Sequence, residues 1–236
     1  MKGLVVAAGQ GTRLRGIAPS KPLAPVRGVP LIERVLISAR AGGLEEFVVV
    51  TGYEGDRLED FLRSLSAREG FAIGTVRNPD WLLANGISVV AAEPLLDERF
   101  VLMMADHLFD PGLLRDLLAQ SPPAGAVVLA VDRRLDNPLV DLVDVTRVET
   151  DADGRIRTIG KLISPYDAFD TGVFLACKEL IRAIGEDLAK GGSGGISGGM
   201  NRLAVRGLAT TFDIGDRFWL DIDDEVAHRQ AERLPA

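Results

Sequence analysis

Continuously apolar stretches alternate with amphipathic stretches along the first half of the chain. Leu4–Ala8 and Phe47–Val50 are apolar at every position, as strands buried on both faces of a parallel sheet must be. The stretches between such runs have the hydrophobic spacing of helices, so the first half has the order β-α-β-α-β-α-β-α-β. This order predicts an α/β protein with a doubly wound, mixed but mainly parallel sheet and helices on both faces.

The same periodicity gives the expected elements of the whole chain. The predicted strands are Lys2–Ala8, Glu46–Thr51, Phe71–Arg77, Phe100–Asp106, Ala126–Asp132, Asp144–Asp151, Arg155–Lys161, Asp170–Cys177, Ala209–Asp213 and Phe218–Ile222. The predicted helices are Leu31–Ala41, Asp56–Arg68, Ile87–Glu93, Pro111–Gln120, Lys178–Ala189, Gly199–Arg206 and Asp224–Arg233. Strands of the second half flank Asp153-Gly154, a pair typical of a hairpin turn, so we expect an antiparallel addition to the sheet.

Charge and apolar content exclude several classes of protein. Lys and Arg number 27 against 34 Asp and Glu, and this net charge of −7 argues against general nucleic-acid binding, which needs a basic face. The longest apolar run, Phe100–Ala105, has six residues, far fewer than the roughly 20 that span a bilayer. The N-terminus leads directly into a strand without a signal-peptide pattern, so we expect a cytoplasmic protein.

Cysteine and histidine are too few for a zinc site. The single cysteine, Cys177, lies in an apolar run and is expected in the core. The two histidines, His107 and His228, are far apart in the sequence. Any metal would therefore be bound by carboxylates, which favours magnesium or manganese.

A glycine-rich segment follows the first predicted strand, where ligands bind in open α/β sheets. A dinucleotide-binding fingerprint needs a small residue where Leu14 stands, and a Walker loop needs Lys-Ser/Thr where Ile17-Ala18 follows Gly16. The remaining interpretation is a loop whose backbone N–H groups hold a phosphate chain, with Arg13 as a fixed cation.

Lys21 stands between Pro19 and Pro22, in a chain with five lysines and 22 arginines, which suggests a need for a compact point charge. Gly9-Gln10-Gly11-Thr12-Arg13 followed by Lys21-Pro22-Leu23 resembles the G-x-G-T-R…K-P-L signature of the sugar-phosphate nucleotidyltransferases. The resemblance implies their Rossmann-like fold and a glycine loop that binds a nucleoside triphosphate, with Arg13 and Lys21 as catalytic residues. The nucleotide-binding residues of the loop are then Ala7, Ala8, Gly9, Gly11, Thr12 and Arg13.

Carboxylates suited to a metal follow two other predicted strands. Asp106 ends the fourth strand, beside the first loop in a doubly wound sheet, and the resemblance assigns it as a ligand of Mg²⁺. Asp221 and Asp223 are two residues apart on a strand and share a face, so either is suited to be the second ligand. Asp224, which points the other way, is suited to cap the last helix.

Further segments resemble the inositol-1-phosphate cytidylyltransferases over nearly the whole chain. They are Asn78-Pro79, Asn85–Ser88, Asp106-His107, Val143–Val148, Ile159–Lys161, Tyr166–Gly172, Ile196–Met200 and Gly215–Trp219. The resemblance implies CTP and a phosphorylated polyol, inositol 1-phosphate, as substrates, and CDP-inositol and pyrophosphate as products. Since the family commonly carries a membrane-embedded synthase domain that this sequence does not contain, a separate membrane CDP-alcohol transferase is expected as a functional partner.

Residues of these segments are candidates for substrate contacts. Asn85, Gly86 and Ser88 stand where a loop meets a helix and suit a pyrimidine or ribose, although a simple turn and cap explain them too. Lys161 is suited to the acceptor's phosphate. Asp144, Asp170 and His107 are candidates for the acceptor's hydroxyl groups. We expect one domain over residues 1–236, with a nucleotide-binding half at about 1–132 and an acceptor-binding half at about 133–236.

Other functions remain open on the sequence alone. Phosphocholine cytidylyltransferase and molybdenum-cofactor guanylyltransferase keep the fold and change the substrate. A glycosyltransferase usually shows D-x-D, where this chain has Asp106-His107-Leu108. A non-enzymatic nucleotide-binding protein would not need Lys21 or Asp106. The glycine run 191–199 is interpreted either as a linker or as a lid over the site.

Overall fold

The structure is a computed structural model that describes residues 1–234. Its strands are β1 (Lys2–Val6), β2 (Pro25–Val26), β3 (Val29–Pro30), β4 (Glu46–Thr51), β5 (Ala72–Arg77), β6 (Arg99–Met104), β7 (His107–Phe109), β8 (Val127–Asp132), β9 (Arg147–Thr150), β10 (Ile156–Gly160), β11 (Ala168–Cys177), β12 (Ala209–Asp213) and β13 (Trp219–Asp221). Its α-helices are α1 (Leu31–Ala41), α2 (Gly55–Glu69), α3 (Gly86–Ala91), α4 (Pro111–Leu118), α5 (Lys178–Ala189), α6 (Ile196–Val205) and α7 (Glu225–Arg233).

A nine-stranded mixed sheet forms the centre of the molecule. Strands β5, β4, β1 and β6 are parallel neighbours in that order, as the alternation of strands and helices predicts. β11 pairs antiparallel with β6 and also with β8, and β12 pairs parallel with β8. The antiparallel β9-β10 hairpin, which turns at Gly154, extends the sheet beside β11. Both the parallel half and the antiparallel addition are confirmed.

One strand lies differently from a simple β-α-β continuation. β8 does not follow β6 in the sheet, because β11 of the second half lies between them. Nine of the ten residues of β11 are buried, so this strand has the apolar surface that a central position requires. The two halves of the sequence therefore share one continuous sheet.

Helices cover both faces of this sheet. Apolar residues of α1, α2 and α4, such as Val35, Leu62 and Leu113, form one core with residues of the strands. Residues of α3, α5 and α6, such as Val89 and Leu180, form a second core on the other face, and this core includes Cys177. The doubly wound arrangement is thus confirmed, and Cys177 is buried as expected. Over the described residues, none of the helices combines the length and the apolar character that a bilayer crossing requires.

Each predicted strand and helix is present with ends within three residues of the prediction. The hydrophobic pattern does not predict β2, β3 and β7, which are only two or three residues long and so contain less than two periods of alternation. These short strands matter for the site: β2 and β3 follow the turn that begins at Lys21, and β7 pairs antiparallel with β13.

Candidate active site

The loop after β1 and the loop after β6 meet at one edge of the sheet. Val6 is in register with Met104, so the carboxyl ends of these parallel strands are side by side. Between the two loops lies a cavity of about 320 Å³, which we call the glycine-loop cavity. Its lining residues are Val6, Ala7, Gly9, Gly11, Thr12, Arg13, Lys21, Pro22, Ala105, Asp106 and Asp223.

Gly11 allows the loop to approach Lys21 closely. It has a φ of +57°, and a Cβ atom at this position would lie 2.2 Å from the Cβ of Lys21. Only glycine fits both the left-handed backbone and this contact. Lys21 begins a 3₁₀ turn with Pro22, and it is only 8% exposed. The glycine loop and the lysine therefore form one rigid wall of the cavity.

Alternating charges run from Asp106 to Lys161, and we call this series the ion-pair row. The ammonium of Lys21 contacts both Asp106 and Asp223. One nitrogen of Arg13, Nη2, lies 2.9 Å from Asp223 Oδ2 and 2.6 Å from Asp144 Oδ2. Asp144 also pairs with Lys161. The row thus joins the residues predicted to bind nucleotide, metal and acceptor.

The ion-pair row holds its first members in the charged state. Burial opposes the charge of Lys21, but Asp106 and Asp223 outweigh it and raise the pKa of Lys21 above its usual value. Burial likewise opposes the charge of Asp106, but the ammonium of Lys21 and the ring of His107 hold the pKa of Asp106 well below its usual range. At neutral pH this site therefore presents a fixed cation and a fixed anion.

A second cavity of about 200 Å³ shares Asp106 and Asp223 with the first, and we call it the Lys161 cavity. The residues predicted to contact the acceptor, Asp144, Lys161, Asp170 and His107, all line it. So do Asn85, Met104, Val145, Thr146, Gly172, Phe174, Ile196, Ser197, Trp219 and Asp221. One oxygen of Asp170 accepts a hydrogen bond from the N–H of Gly172 (2.7 Å), and burial raises the pKa of Asp170 to about 6.

His107 lies between two carboxylates. Its Nδ1 is 2.8 Å from Asp106 Oδ1 and 3.6 Å from Asp221 Oδ1. Burial lowers the pKa of His107, but Asp221 and Asp106 outweigh it and raise the pKa to about 9, so the ring is an imidazolium at neutral pH. Burial raises the pKa of Asp221 to about 7. Among the described residues, the buried Oδ1 of Asp221 has no hydrogen-bond partner.

Two groups of carboxylates are suited to a divalent metal. Asp106, His107 and Asp221 each offer a ligand atom within 4.8 Å of the others. An imidazolium has no free lone pair for a metal, however, and it already supplies the positive charge of that group. Asp106 and Asp223 instead hold one cation between them, the ammonium of Lys21, on the wall of the glycine-loop cavity. This pair has the oxygen donors that Mg²⁺ prefers, and it faces the loop predicted to bind phosphates.

Four residues predicted to bind the nucleotide lie outside the lining of the glycine-loop cavity: Ala8, Asn85, Gly86 and Ser88. Ala8 is buried, and its carbonyl oxygen accepts a hydrogen bond from the N–H of Tyr53. Ser88 is buried as well, and its hydroxyl accepts a hydrogen bond from the Asn78 amide (3.0 Å). Asn85 is exposed and lines the Lys161 cavity, where its Oδ1 accepts the N–H of Ile196 (3.1 Å). Gly86 and Ser88 are thus buried beneath the loop and support it, whereas Asn85 lines the Lys161 cavity.

The glycine run 191–199 is compact rather than extended. Cβ atoms at Gly192 and Gly198 would lie 2.2 and 2.4 Å from the side chain of Asp187, which is buried and accepts the N–H of Gly194. From Ile196 onward the run belongs to α6, which begins three residues earlier than predicted. The glycines therefore serve close packing around Asp187, and the run is not an extended linker.

Other residues of the site were not predicted from the sequence. Thr146, Ser197 and Trp219 line the Lys161 cavity, and the ring of Trp219 stacks on His107 with a centroid distance of 6.3 Å. Trp219 belongs to a segment that resembles the inositol-1-phosphate cytidylyltransferases, but no individual role was predicted for it. A useful signal was its position two residues before Asp221, which gives both side chains the same face of a strand. The predicted cap is confirmed: Asp224 Oδ1 accepts the N–H groups of Val226 and Ala227.

Comparison with known proteins places the chain in a family. The family model described as the MobA-like NTP transferase domain matches residues 3–161. A Rubrobacter xylanophilus protein named "Bifunctional IPC transferase and DIPP synthase" is 37% identical over 98% of this chain and 51% of its own length. A Streptomyces rubellomurinus protein named "CMP-5'-(3-aminopropyl)phosphonate synthase" is 33% identical over 98% of this chain and 38% of its own length. The chain thus spans about half the length, or less, of these relatives.

Solved structures share the fold. The inositol-1-phosphate CTP transferase from T. maritima superposes with a TM-score of 0.82, at 27% identity, over 100% of this chain and 97% of that one. A UDP-glucose pyrophosphorylase complexed with UDP-glucose superposes with a TM-score of 0.78 at 20% identity over 98% of this chain and 96% of that one, which is a likeness of fold alone. The expected Rossmann-like nucleotidyltransferase fold is thereby confirmed, as is the resemblance to the inositol-1-phosphate cytidylyltransferases.

Proposed function

The chain belongs to the MobA-like NTP transferase family and is a nucleotidyltransferase, and we propose that it transfers CMP from CTP to inositol 1-phosphate. The observation that carries the proposal is the ion-pair row. It joins a glycine-loop cavity with two fixed cations to a second cavity that contains a lysine and several hydroxyl-binding carboxylates. Names of the relatives in the comparison support the choice of nucleotide and acceptor.

The glycine-loop cavity is proposed to bind the triphosphate. Gly9, Gly11 and Thr12 bring backbone to its wall, while Arg13 and Lys21 bring positive charge. When a triphosphate enters, its oxygens replace the carboxylates as partners of these two cations. Because Lys21 is nearly buried, its charge is poorly screened by water and acts strongly on the charge that develops on the transferring phosphoryl group.

The carboxylate pair Asp106 and Asp223 is proposed to hold Mg²⁺. One oxygen of Asp106 and one oxygen of Asp223 contact the Lys21 ammonium, so both carboxylates point to the same cation. This arrangement fits a divalent ion with phosphate oxygens as further ligands. Bound there, Mg²⁺ would neutralise charge on the triphosphate and on the departing pyrophosphate. Asp221 then belongs to the acceptor side, where it lines the Lys161 cavity.

The Lys161 cavity is proposed to bind the acceptor. Lys161 pairs with its phosphate, while Asp144, Asp170 and Asp221 accept hydrogen bonds from ring hydroxyls and His107 donates one. An oxygen of the acceptor phosphate attacks the α-phosphorus of CTP, a new P–O bond forms, and the bond to the β-phosphate breaks to release pyrophosphate. No general base is needed, because a phosphate monoester has a second pKa of about 6 and is already a dianion at neutral pH.

The proposal carries three further expectations, on the two halves of the sequence, on a functional partner and on location. The sequence half at about 1–132 supplies the nucleotide side, and the half at about 133–236 supplies the acceptor side together with Asp223. The product, CDP-inositol, would be used by a membrane CDP-alcohol transferase, in keeping with relatives whose names combine a transferase with a DIPP synthase. The expected cytoplasmic location follows from the same soluble substrates.

A second candidate acceptor carries an amine. Five carboxylates, Asp106, Asp144, Asp170, Asp221 and Asp223, line the Lys161 cavity. Three of them are paired with Lys21, Arg13 or Lys161, which leaves Asp170 and Asp221 as partners for a cationic group. An aminoalkylphosphonate or phosphocholine would supply both a phosphorus oxyanion and such a cation. One relative is named for an aminopropylphosphonate product.

A pyrophosphate-release screen tests the proposal. Each of CTP, UTP, ATP and GTP is combined with inositol 1-phosphate, glucose 1-phosphate, phosphocholine and 3-aminopropylphosphonate, in the presence of Mg²⁺ or of a chelator. We expect the highest kcat/KM for CTP with inositol 1-phosphate, and no turnover with the chelator. Faster turnover of an amine-containing acceptor would support the second candidate, and preference for GTP would overturn the cytidylyltransferase proposal.

A further inference from the structure

A buried carboxylate outside the ion-pair row ties together three segments that surround the Lys161 cavity. Asp132, the last residue of β8, has no exposed surface. Its Oδ1 accepts the N–H of Arg134 (2.9 Å) and the Nε of the same residue (2.8 Å). Its Oδ2 accepts Arg134 Nη2 (3.0 Å), Asn137 Nδ2 (2.7 Å) and Trp219 Nε1 (2.8 Å). A carboxylate has about four lone-pair sites, so five donors use its acceptor capacity completely.

The donors come from two segments that lie far apart in the sequence. Arg134 and Asn137 lie in residues 133–146, which contain turns but no helix or strand. Trp219 lies in β13, more than 80 residues later, and Arg134 Nη2 also donates to the carbonyl oxygen of Arg217 just before it (2.9 Å). Asp132 therefore fixes the position of an irregular loop against a strand.

Both of the connected segments carry residues of the Lys161 cavity. The loop delivers Asp144, Val145 and Thr146, and β13 delivers Asp221 to the same space. The indole of Trp219 stacks on the ring of His107, with planes inclined by 22°. Because the indole N–H is bound to Asp132 and the ring face lies on His107, the carboxylate sets how far the imidazole can move.

We propose that Asp132 is a positioning residue for acceptor binding, which holds loop 133–146 and Trp219 in the geometry that the acceptor requires. It lines neither cavity and is not a member of the ion-pair row, and it acts through Asn137, Arg134 and the cavity residue Trp219. Since the acceptor cavity is assigned by the proposed function, this role rests on that proposal. No residue of loop 133–146 lines the glycine-loop cavity, and the loop reaches its lining through the pair of Asp144 with the half-exposed Arg13, so a smaller effect is expected on the nucleotide side than on the acceptor side.

Substitution Asp132→Asn tests this role. It keeps the shape but replaces one acceptor oxygen with an NH₂ group, so either the N–H and Nε of Arg134 on one side, or Asn137 and Trp219 on the other, lose their acceptor. We expect the KM for the acceptor to rise by about tenfold or more and the KM for CTP to stay within about threefold. Amide hydrogen exchange of residues 134–145 is expected to become faster, because the loop loses its anchor.

Two more variants separate positioning from general destabilisation. Asn137→Ala removes one donor and leaves Asp132 with its other partners, so it is expected to fold and to raise the acceptor KM by a smaller factor. Combined with Asp132→Asn it should add little, because both changes break the same link. Asp116→Asn is the matched control: its carboxylate pairs with Arg217 outside the cavity, and its KM values should match those of the unsubstituted chain.

Every outcome of these measurements either supports or overturns the positioning role of Asp132. An acceptor KM unchanged in both Asp132→Asn and Asn137→Ala, or an equal rise in the KM for CTP, would overturn the positioning role. A failure of the proposed function would show itself earlier, as no pyrophosphate release by the unsubstituted chain with any phosphorylated acceptor. In that case faster exchange in residues 134–145, without change elsewhere, still supports the anchoring of the loop by Asp132, and unchanged exchange refutes it.

Discussion

Replacing Lys21 with alanine removes the cation that lies deepest in the glycine-loop cavity. The side chain of Lys21 is 9% exposed, so water does not take the place of its charge, and the loss differs in kind from that of an exposed ion pair. An exposed pair contributes about 0.2–1 kcal/mol, whereas loss of one preorganised contact to a developing charge costs about 2.7–4 kcal/mol. We therefore expect Lys21→Ala to lower kcat by about 10²–10³.

Lys21→Ala is expected to act differently on Mg²⁺ binding than on kcat. Asp106 and Asp223 lose the ammonium that pairs with both of them, so their combined negative charge is free to attract Mg²⁺. The Mg²⁺ concentration that gives half-maximal rate is expected to fall or stay constant while kcat drops. Lys21→Arg is not expected to restore the rate, because a planar guanidinium does not reproduce the compact ammonium that contacts both Asp106 and Asp223.

Steady-state pyrophosphate release over a series of Mg²⁺ concentrations measures both effects. Lys2→Ala is the matched control: this lysine lies at the opposite end of β1, where it donates to the carbonyl oxygen of Leu95, and its loss should leave kcat unchanged. A kcat for Lys21→Ala within about threefold of that of the unsubstituted chain would refute the role of the buried charge. Full rescue by Lys21→Arg would refute the requirement for a compact ammonium.

Three further predictions concern the metal, the acceptor and the response to pH. Asp223→Asn should abolish most of the Mg²⁺-dependent rate, whereas Asp221→Asn should keep the Mg²⁺ titration and raise the acceptor KM; the reverse pattern would exchange their roles. Lys161→Ala should raise the KM for the acceptor by about tenfold and that for CTP by less than about threefold, and equal changes would contradict its assignment. His107 has a folded pKa of about 9, above its unfolded value of about 6.5, so its protonation contributes stability that is complete below about pH 6.5 and is lost as the pH rises through 9. The melting temperature of His107→Gln, measured with a chelator, should therefore fall less between about pH 7 and pH 10 than that of the unsubstituted chain. An identical fall would contradict the charged imidazole.

The fold was predictable because its information is local and repeated. The buried strands contain apolar runs such as Leu4–Ala8 and Phe47–Val50, and the helices have one apolar face, so the hydrophobic period located them. The place of β11 was not predictable in this way. Pairing partners depend on contacts between distant segments, and the sequence spacing of β8 and β11 does not record which strand lies beside β6.

The candidate site was predictable to the extent that the sheet brings strand ends together. Arg13 and Asp106 lie in the loops after β1 and β6 and follow from that rule, whereas Lys21 was predicted from the resemblance of its motif; all three line the glycine-loop cavity. Asp132 also ends a buried strand, yet the rule alone does not separate a residue that faces a ligand from one that binds a loop. The difference depends on where Asn137 and Trp219 fold, which is a tertiary feature.

The spacing of Asp221 and Asp223 in the sequence does not predict the different surroundings of their two carboxylates. Two residues apart on one strand, they were expected to share a face, and both line the Lys161 cavity. However, β13 ends at Asp221, which is still paired with His107 of β7 and so is directed to its ring. Asp223 lies beyond the strand, in the turn before α7, and this turn brings its two oxygens to Lys21 and Arg13. Because the strand ends between the two carboxylates, Asp221 is held by the sheet beside His107, and Asp223 is directed by the turn to Lys21 and Arg13, which is the basis for proposing Asp223 rather than Asp221 as the partner of Asp106 in metal binding.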